Sequence, residues 1–527
     1  MAWDSDFLVE HTRVDGEVDL TVTMAYGDRF RLAEMTVLGR SYGSTFDAAG
    51  RHESIDDVVF TYDANTGYLD TVSDGVTTWQ GEFGGYGTEA GRVMTIEGVG
   101  EVYRYTLTRD ANLQVTGIQE ELPDGSTRVR DLGLDPMGHV IEVVTDGELT
   151  EQHTWDLVEN RVTSHQPSMG WSDATWTTDT SDRLLEGPEA AYTYDPQGAR
   201  ATRTGDDGTT LYAHSPDREL LTVTFPDGTQ VRYRYDFAGR RADRALDGVV
   251  TDRYIWDRTG QLLAVADADG SVREHYLWVG GRPIRVEKDG VRYWLATDQI
   301  GSIRYVFDEA GAVVQAYEYD TWGQRTFVAD SNFELSLGFA GGLHDGATGF
   351  VRFGLRDYDP ATGVFVQPDP IWYAGGPNLY AYVGGAPHTY VDRDGLSGAA
   401  IDGSVTVAGA QIGGSAGIHK SPNGKSVLSL KFFGGGGFGG GFAFGKNRFK
   451  AGSGAFKADG GVSFSPGGPP LGKNDGFNLG DFIKFDVTSV KEASIAAGPF
   501  KGVISERVSL SGKSSKESNL IFTDGNG

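Results

Sequence analysis

The chain has 527 residues, no cysteine and a formal net charge of -28, from 46 Lys plus Arg against 74 Asp plus Glu. Disulfides, thiol catalysis and Cys-ligated zinc are thereby excluded, and the acidity argues against the whole chain gripping nucleic acid or an anionic membrane surface. At this length a single compact core is not expected, so the sequence should hold several domains or a repeat architecture.

The first residues, Met1 to Asp6, lack the basic start and apolar stretch of a signal peptide, and no run of about 18 apolar residues could form a membrane helix. The expectation is synthesis in the cytoplasm followed, for a secreted effector, by export through dedicated secretion machinery or a partner. Thr, Val, Tyr and Gly are abundant and helix-favouring runs are scarce, which predicts a mainly β chain of strands and tight turns.

Over residues 1–190 a repeat rhythm is faint. Tyr62-Asp63 with Gly67, and the stretches "YRYTLTRDANLQVTG" and "LDPMGHVIEVVTDG", keep it loosely, so this part is read as degenerate repeats. From 191 to 293 the rhythm is clear: an aromatic residue, Asp, two residues, then Gly. It stands at Tyr194-Asp195 with Gly198, Tyr235-Asp236 with Gly239 and Trp256-Asp257 with Gly260, and recurs at Phe307-Asp308 with Gly311 and Tyr319-Asp320 with Gly323. Asp at the first and Gly at the fourth position is the preference of a type I turn, in which the carboxylate accepts nearby backbone N–H groups. Before the turns residues alternate, as in Val231-Arg232-Tyr233-Arg234-Tyr235, which predicts strands half-buried on one face. A spacing of 21 residues, as from Tyr235 to Trp256, is the length of one hairpin with its turns, and a stacked hairpin array follows.

Residues 294–396 form a denser signature: "WLATDQIGSIRYVFDEAG", "YEYDTWGQRT", "GFAGGLHDGATGFVRFGLRDYDPATGVFVQPDPI" and "GGPNLYAYVGGAPHTYVDRDGL". These motifs and the repeats together resemble the RHS/YD-repeat polymorphic toxins, and are similar to the toxin-complex C component and the teneurins. The resemblance implies a YD-repeat array spiralling into a hollow shell, closed by an RHS-associated core. Family shells are usually longer than the stretch before residue 397. Either a second shell-forming chain completes a cage, or the sequence is one piece of a larger protein.

The resemblance further implies that the core is a single-turnover aspartic self-cleaving peptidase. Carried over by motif, Arg356 is the assisting Arg of "GLRDYDP", Asp369 the Asp of "QPDPI", Asp392 the first Asp of "YVDRDGL", and the cut falls between Leu396 and Ser397. Two positions depart from the family pattern: Trp372 stands where Gly is usual and Arg393 where Pro is usual. Amide hydrolysis needs one carboxylate to take a proton from water and one carboxylic acid to protonate the departing amine. Two carboxyls in one site can divide those roles, and a scissile bond four residues from Asp392 is tethered beside its catalyst. Taken singly, both aspartates read as ordinary Asp turns, and Asp394 stands in for Asp392 if the register shifts. His344 and His388 are assigned packing or hydrogen-bonding roles. No metal or cofactor is implied.

Composition changes at the same place. Every Tyr and Trp precedes residue 397, whereas every Lys but Lys288 follows it; residues 397–527 carry 14 Lys plus Arg against 9 Asp plus Glu. This marks 397–527 as a separate small Gly-rich β domain, which the resemblance makes a C-terminal effector (toxin) accompanied by a cognate immunity protein. "SPNGK" at 421–425 predicts a hairpin turn. Its long flanks of alternating small and apolar residues suggest a membrane-inserting, pore-forming hairpin. An ordinary soluble β domain is an equal reading of the Gly434–Gly445 run, and the basic stretch Lys446, Arg448, Lys450 and Lys457 reads as a lipid or nucleic-acid contact or as a solvated face. An enzymatic toxin, nuclease or protein-modifying, stays open, with His419 the one histidine there. The target, membrane or macromolecule, is unassigned. The contrasting reading is a non-cleaving, teneurin-like adhesion scaffold.

Overall fold

The computed structural model describes residues 2–4, 7–15, 18–27, 31–84 and 88–396, and beyond them seven short strands between residues 416 and 504. Among the described residues there is no α-helix; the chain is an antiparallel β-protein with a few single 3-10 turns. Two long meanders make up most of it. The first runs through 17 strands from Ala2–Asp4 to Trp171–Thr175, and the second through 16 strands from Thr177–Thr178 to Arg325–Val328.

The Asp turns form as the residue pattern dictates. At Asp195, Asp236, Asp257, Asp308 and Asp320 the Oδ1 atom accepts the backbone N–H groups two and four residues on, all within 3.0 Å. The Gly three residues on has a φ between 74° and 88° in all five, and the pairing register shifts at each turn, as expected of a type I turn closed by a bulge. Between such turns the second meander reverses through tight two-residue links such as Asp247-Gly248 and Asp289-Gly290, with φ positive at both residues. Successive turns fall on opposite edges of the sheet. Asp195, Asp236, Asp257 and Asp320 therefore share one edge, and Asp308 lies on the other.

Strand Gln230–Tyr235 keeps the expected alternation: Val231 and Tyr233 are buried while Arg232 and Arg234 face out. Strands Leu262–Ala266 and Ile303–Phe307 are instead buried on both faces. One face packs against the first meander, in a core that joins Leu20, Val37, Trp79 and Tyr105 to Ile255, Leu277, Trp294 and Phe307. The other is covered by Leu335, Leu337 and Leu343. Buried polar groups stitch the meanders together: Trp79 Nε1 donates to the Leu295 carbonyl at 3.2 Å, and Arg304 pairs with Glu120 at 2.8 Å.

Residues 333–396 pack across one turn-bearing edge of both meanders. Tyr380 donates its hydroxyl to Gly198 O at 2.7 Å, Arg352 Nη2 reaches Gly239 O at 3.2 Å, and the Tyr358 hydroxyl reaches Trp322 O at 2.7 Å. From the first meander, Val115 N donates to Thr389 Oγ1 at 3.0 Å, and Asn160 accepts from Asn378 at 2.7 Å. Within this cap lies a small sheet, Leu343–His344, Val351–Phe353, Arg356–Asp359 and Val364–Phe365.

In the C-terminal region Ala416–Lys420 pairs antiparallel with Ser426–Leu430. The turn residues 421–425, Ser397, most of the Gly-rich run and the basic stretch Lys446–Lys457 lie outside the described residues.

Candidate functional site

Strand Arg356–Asp359 lies between Val351–Phe353 and Val364–Phe365, and its side chains alternate across the sheet. Asp357 and Asp359 are engaged by buried arginines: Arg241 and Arg352 hold Asp357 at 2.6 and 2.8 Å, and Arg200 holds Asp359 at 2.6 Å. Arg356 is aimed elsewhere. Its guanidinium stacks on the Phe365 ring at 3.6 Å, and Nη1 donates to Leu379 O at 3.1 Å. Nη2 lies 3.0 Å from Asp369 Oδ2 and 2.9 Å from Asp392 Oδ2. All three side chains are buried, Arg356 at 1% exposure, Asp369 at 3% and Asp392 at 0%.

Both aspartates sit in the turn that builds the repeats. Asp392 Oδ1 accepts the Leu396 N–H four residues on at 3.1 Å, with Gly395 at φ 65°. Asp369 Oδ1 accepts the Ile371 N–H at 2.8 Å, and Trp372, at the position that is Gly in the repeat turns, has φ 55°. The turn reading and the functional reading of these residues thus coexist. One oxygen of each carboxylate closes its own turn and the other faces Arg356.

The predicted scissile residue lies against this group. The Leu396 N–H is shared between Asp392 Oδ1 and Asp394 Oδ1, both at 3.1 Å. Segment 394–396 is held by close backbone approach: Leu355 N donates to Asp394 O at 3.1 Å, and a Cβ on Gly395 would lie 2.3 Å from Phe353 O. On the other side a Cβ on Gly375 would lie 2.5 Å from Asp369 Oδ2 and 3.4 Å from Leu396 O. Gly375 is a site residue that the motifs did not single out, because its importance depends on two segments that meet only in the fold.

The two departures from the motif are accommodated. Trp372 adopts the left-handed backbone itself, and its half-exposed ring lies 5.2 Å from the Arg218 guanidinium. The Arg393 guanidinium packs over Gly281, where a Cβ would lie 2.3 Å from its Nη1. Burial lowers His344 to about 3 and His388 to about 4, and His388 contacts Thr321 Oγ1 at 3.3 Å.

A second buried polar cluster joins the first meander to the Asp320 turn of the second. Glu151 Oε2 lies 3.1 Å from His153 Nε2, and His153 Nδ1 lies 3.1 Å from Ser164 Oγ. Glu151 Oε1 accepts the Thr321 N–H at 3.1 Å, and Gln166 donates to Asp320 Oδ2 at 2.9 Å. Burial, reinforced by the Glu151 charge, pushes Asp320 up to about 7.

The Teneurin YD-shell family model matches residues 2–375. Over 207 residues the chain is 32% identical to "Probable deoxyribonuclease RhsB" of Dickeya dadantii (strain 3937), covering 36% of this chain and 14% of that protein. It is 29% identical over 356 residues to "Double-stranded DNA deaminase toxin A" of Burkholderia cenocepacia (strain H111), covering 59% and 24%, and 26% identical over 379 residues to Teneurin-3 of Mus musculus, covering 68% and 13%. Among solved structures, a TcdB2-TccC3-Cdc42 crystal structure matches 72% of this chain and 24% of that one, at 17% identity and a TM-score of 0.44. The chain therefore spans a quarter or less of the length of these relatives.

Proposed function

The chain belongs to the teneurin YD-shell family, and from that premise we propose that it is a polymorphic toxin of the RHS type, which cuts itself after Leu396 to release residues 397–527 as an effector. The observation that carries this reading is the convergence of two buried carboxylates on Arg356 Nη2, with the Leu396 N–H on one of them, and with the other and the Leu396 carbonyl both lying against Gly375. With both aspartates ionised the group holds one net negative charge, and a single proton shared between them brings it to neutrality. One carboxylate then serves as base toward water while its protonated partner delivers a proton to the departing Ser397 nitrogen. The bond is fixed beside its catalyst, so one turnover suffices.

Expressed wild-type chain should run as two pieces on a denaturing gel, with the junction between Leu396 and Ser397. Asp369→Asn or Asp392→Asn should each leave one full-length band. A wild-type chain that stays whole would sink the reading.

The 26% identity to Teneurin-3 over 379 residues favours a second reading, a non-cleaving scaffold, which requires that single uncut band. For the released segment, the hairpin Ala416–Lys420 with Ser426–Leu430 supports membrane insertion, while the nuclease and deaminase names of the relatives support action on nucleic acid. Dye release from liposomes by residues 397–527 separates the two. A second shell-forming chain, secretion machinery and a cognate immunity protein complete the proposed system.

A further inference from the structure

We infer that Gly375 is a positioning residue for the Leu396–Ser397 bond: only a residue without a side chain lets the Asp369 carboxyl and the Leu396 carbonyl close over the same stretch of backbone. The inference rests on the self-cleavage reading and adds a residue to its machinery.

Glycine is not required at 375 by backbone conformation. Gly375 has φ -83° and ψ -15°, a right-handed geometry open to any residue. Gly354 and Gly395 nearby, at φ 43° and 65°, are different, because their left-handed backbone alone accounts for glycine. What constrains 375 is space. A Cβ there would lie 2.5 Å from Asp369 Oδ2 and 3.0 Å from its Cγ, with the Leu396 carbonyl oxygen next at 3.4 Å.

The Asp369 carboxyl cannot yield cheaply. Asp369 is tied at both oxygens, Oδ1 to the Ile371 N–H at 2.8 Å and Oδ2 to Arg356 Nη2 at 3.0 Å, and its own N–H donates to Leu379 O at 2.9 Å. Gly375 itself donates to Trp372 O at 3.0 Å, which fixes its backbone against the same turn. Leu396 is held through its N–H by Asp392 and Asp394. A single added methyl must therefore lift the Asp369 carboxyl off Arg356, while the Leu396 carbonyl oxygen, at 3.4 Å, meets it at ordinary contact distance.

The test is the full chain carrying Gly375→Ala, followed by its rate of self-cleavage across pH. The rate is expected to fall by about tenfold or more, since a displacement near 1 Å can cost a hundredfold in a tethered reaction. The pH profile should also shift, because a carboxyl moved from its guanidinium loses the cation that favours its charged form. Gly346→Ala, where a Cβ meets Glu334 Oε2 at an ordinary 3.5 Å, should cut as wild type does. Thermal midpoints compared in an uncut Asp392→Asn background report folding separately, and Gly375→Ala should lower that midpoint by only a few degrees. A variant that cuts at the wild-type rate, or that slows equally at every pH while its midpoint collapses, overturns the role of Gly375. An uncut wild-type chain overturns the self-cleavage reading instead.

Discussion

Asp369 and Asp392 meet on one nitrogen, each placing Oδ2 within 3.0 Å of Arg356 Nη2 while its Oδ1 closes a local turn. Two carboxyl groups are thereby brought together in a buried place by structural devices the chain already uses elsewhere. The single guanidinium between them makes the arrangement tolerable, and its removal has a defined consequence.

Arg356→Ala should destabilise the fold by about 3–5 kcal/mol at neutral pH, the cost of leaving buried charges without their partner. Chemical denaturation followed by tryptophan fluorescence measures it. In an Asp369→Asn, Asp392→Asn background the same change should cost clearly less, because no carboxylate is left unpaired. Equal costs in the two backgrounds would mean that Arg356 contributes packing rather than charge.

The repeat turn predicts its own improvement. Leu113 occupies the left-handed position of the Asp110 turn at φ 66° and is 38% exposed. Leu113→Gly should stabilise the chain by up to about 1 kcal/mol, and Trp372→Gly should exceed Trp372→Ala by a similar amount, since a non-glycine residue in this region costs roughly 1–2 kcal/mol. Denaturant midpoints at constant slope decide both.

These same positions show what the residues made legible and what they hid. Asp-x-x-Gly turns could be read directly, and strand alternation with them. The turns at Asp110, Asp156 and Asp179 use the same carboxylate bonds but place Leu113, Glu159 and Asp182 at positive φ. Without the glycine the pattern disappears from view, so residues 1–190 look more degenerate than their hairpins are. Burial of strands such as Ile303–Phe307 on both faces was equally hidden, because it depends on Trp79 and Leu335 arriving from far along the chain. At the site, Arg356, Asp369 and Asp392 were marked by motif and the fold brings them together. Gly375 was not, because no local feature announces which carboxyl will lie over it.

Asp320→Asn should stabilise the chain at pH 8 by roughly 2–4 kcal/mol, with the gain fading as pH falls toward 4. Burial and Glu151 raise Asp320 from 3.8 to about 7, so the folded state holds a proton that the unfolded chain has already released. The cost of ionising Asp320 is full above pH 7 and is relieved between 7 and 4. The asparagine should also find a partner: Gln166 Oε1 is buried without one, and a flipped Gln166 amide can accept from the new Nδ2. Melting curves across pH in the uncut background provide the check.

Acid should act in the opposite sense through His388. Burial lowers it from 6.5 to about 4, so the unfolded chain binds the proton first. Its contribution is fully present above pH 6.5 and is lost as pH falls toward 4, on the order of 3 kcal/mol. His388→Gln should flatten the loss of stability over that window without changing the midpoint at pH 8 by more than about 1 kcal/mol.

The close backbone contact between Gly354–Leu355 and Asp394–Gly395 has a further consequence for what cutting would accomplish. Among the described residues, the attachments named above for the end of the cap lie on the N-terminal side of Leu396 C=O. Severing the next bond would leave those attachments intact, so the larger piece would keep its architecture and only the ownership of the remaining 131 residues would change. Covalent release and physical departure would then be separate events, the first governed by a proton and two carboxyls, the second by whatever contacts still hold the severed residues.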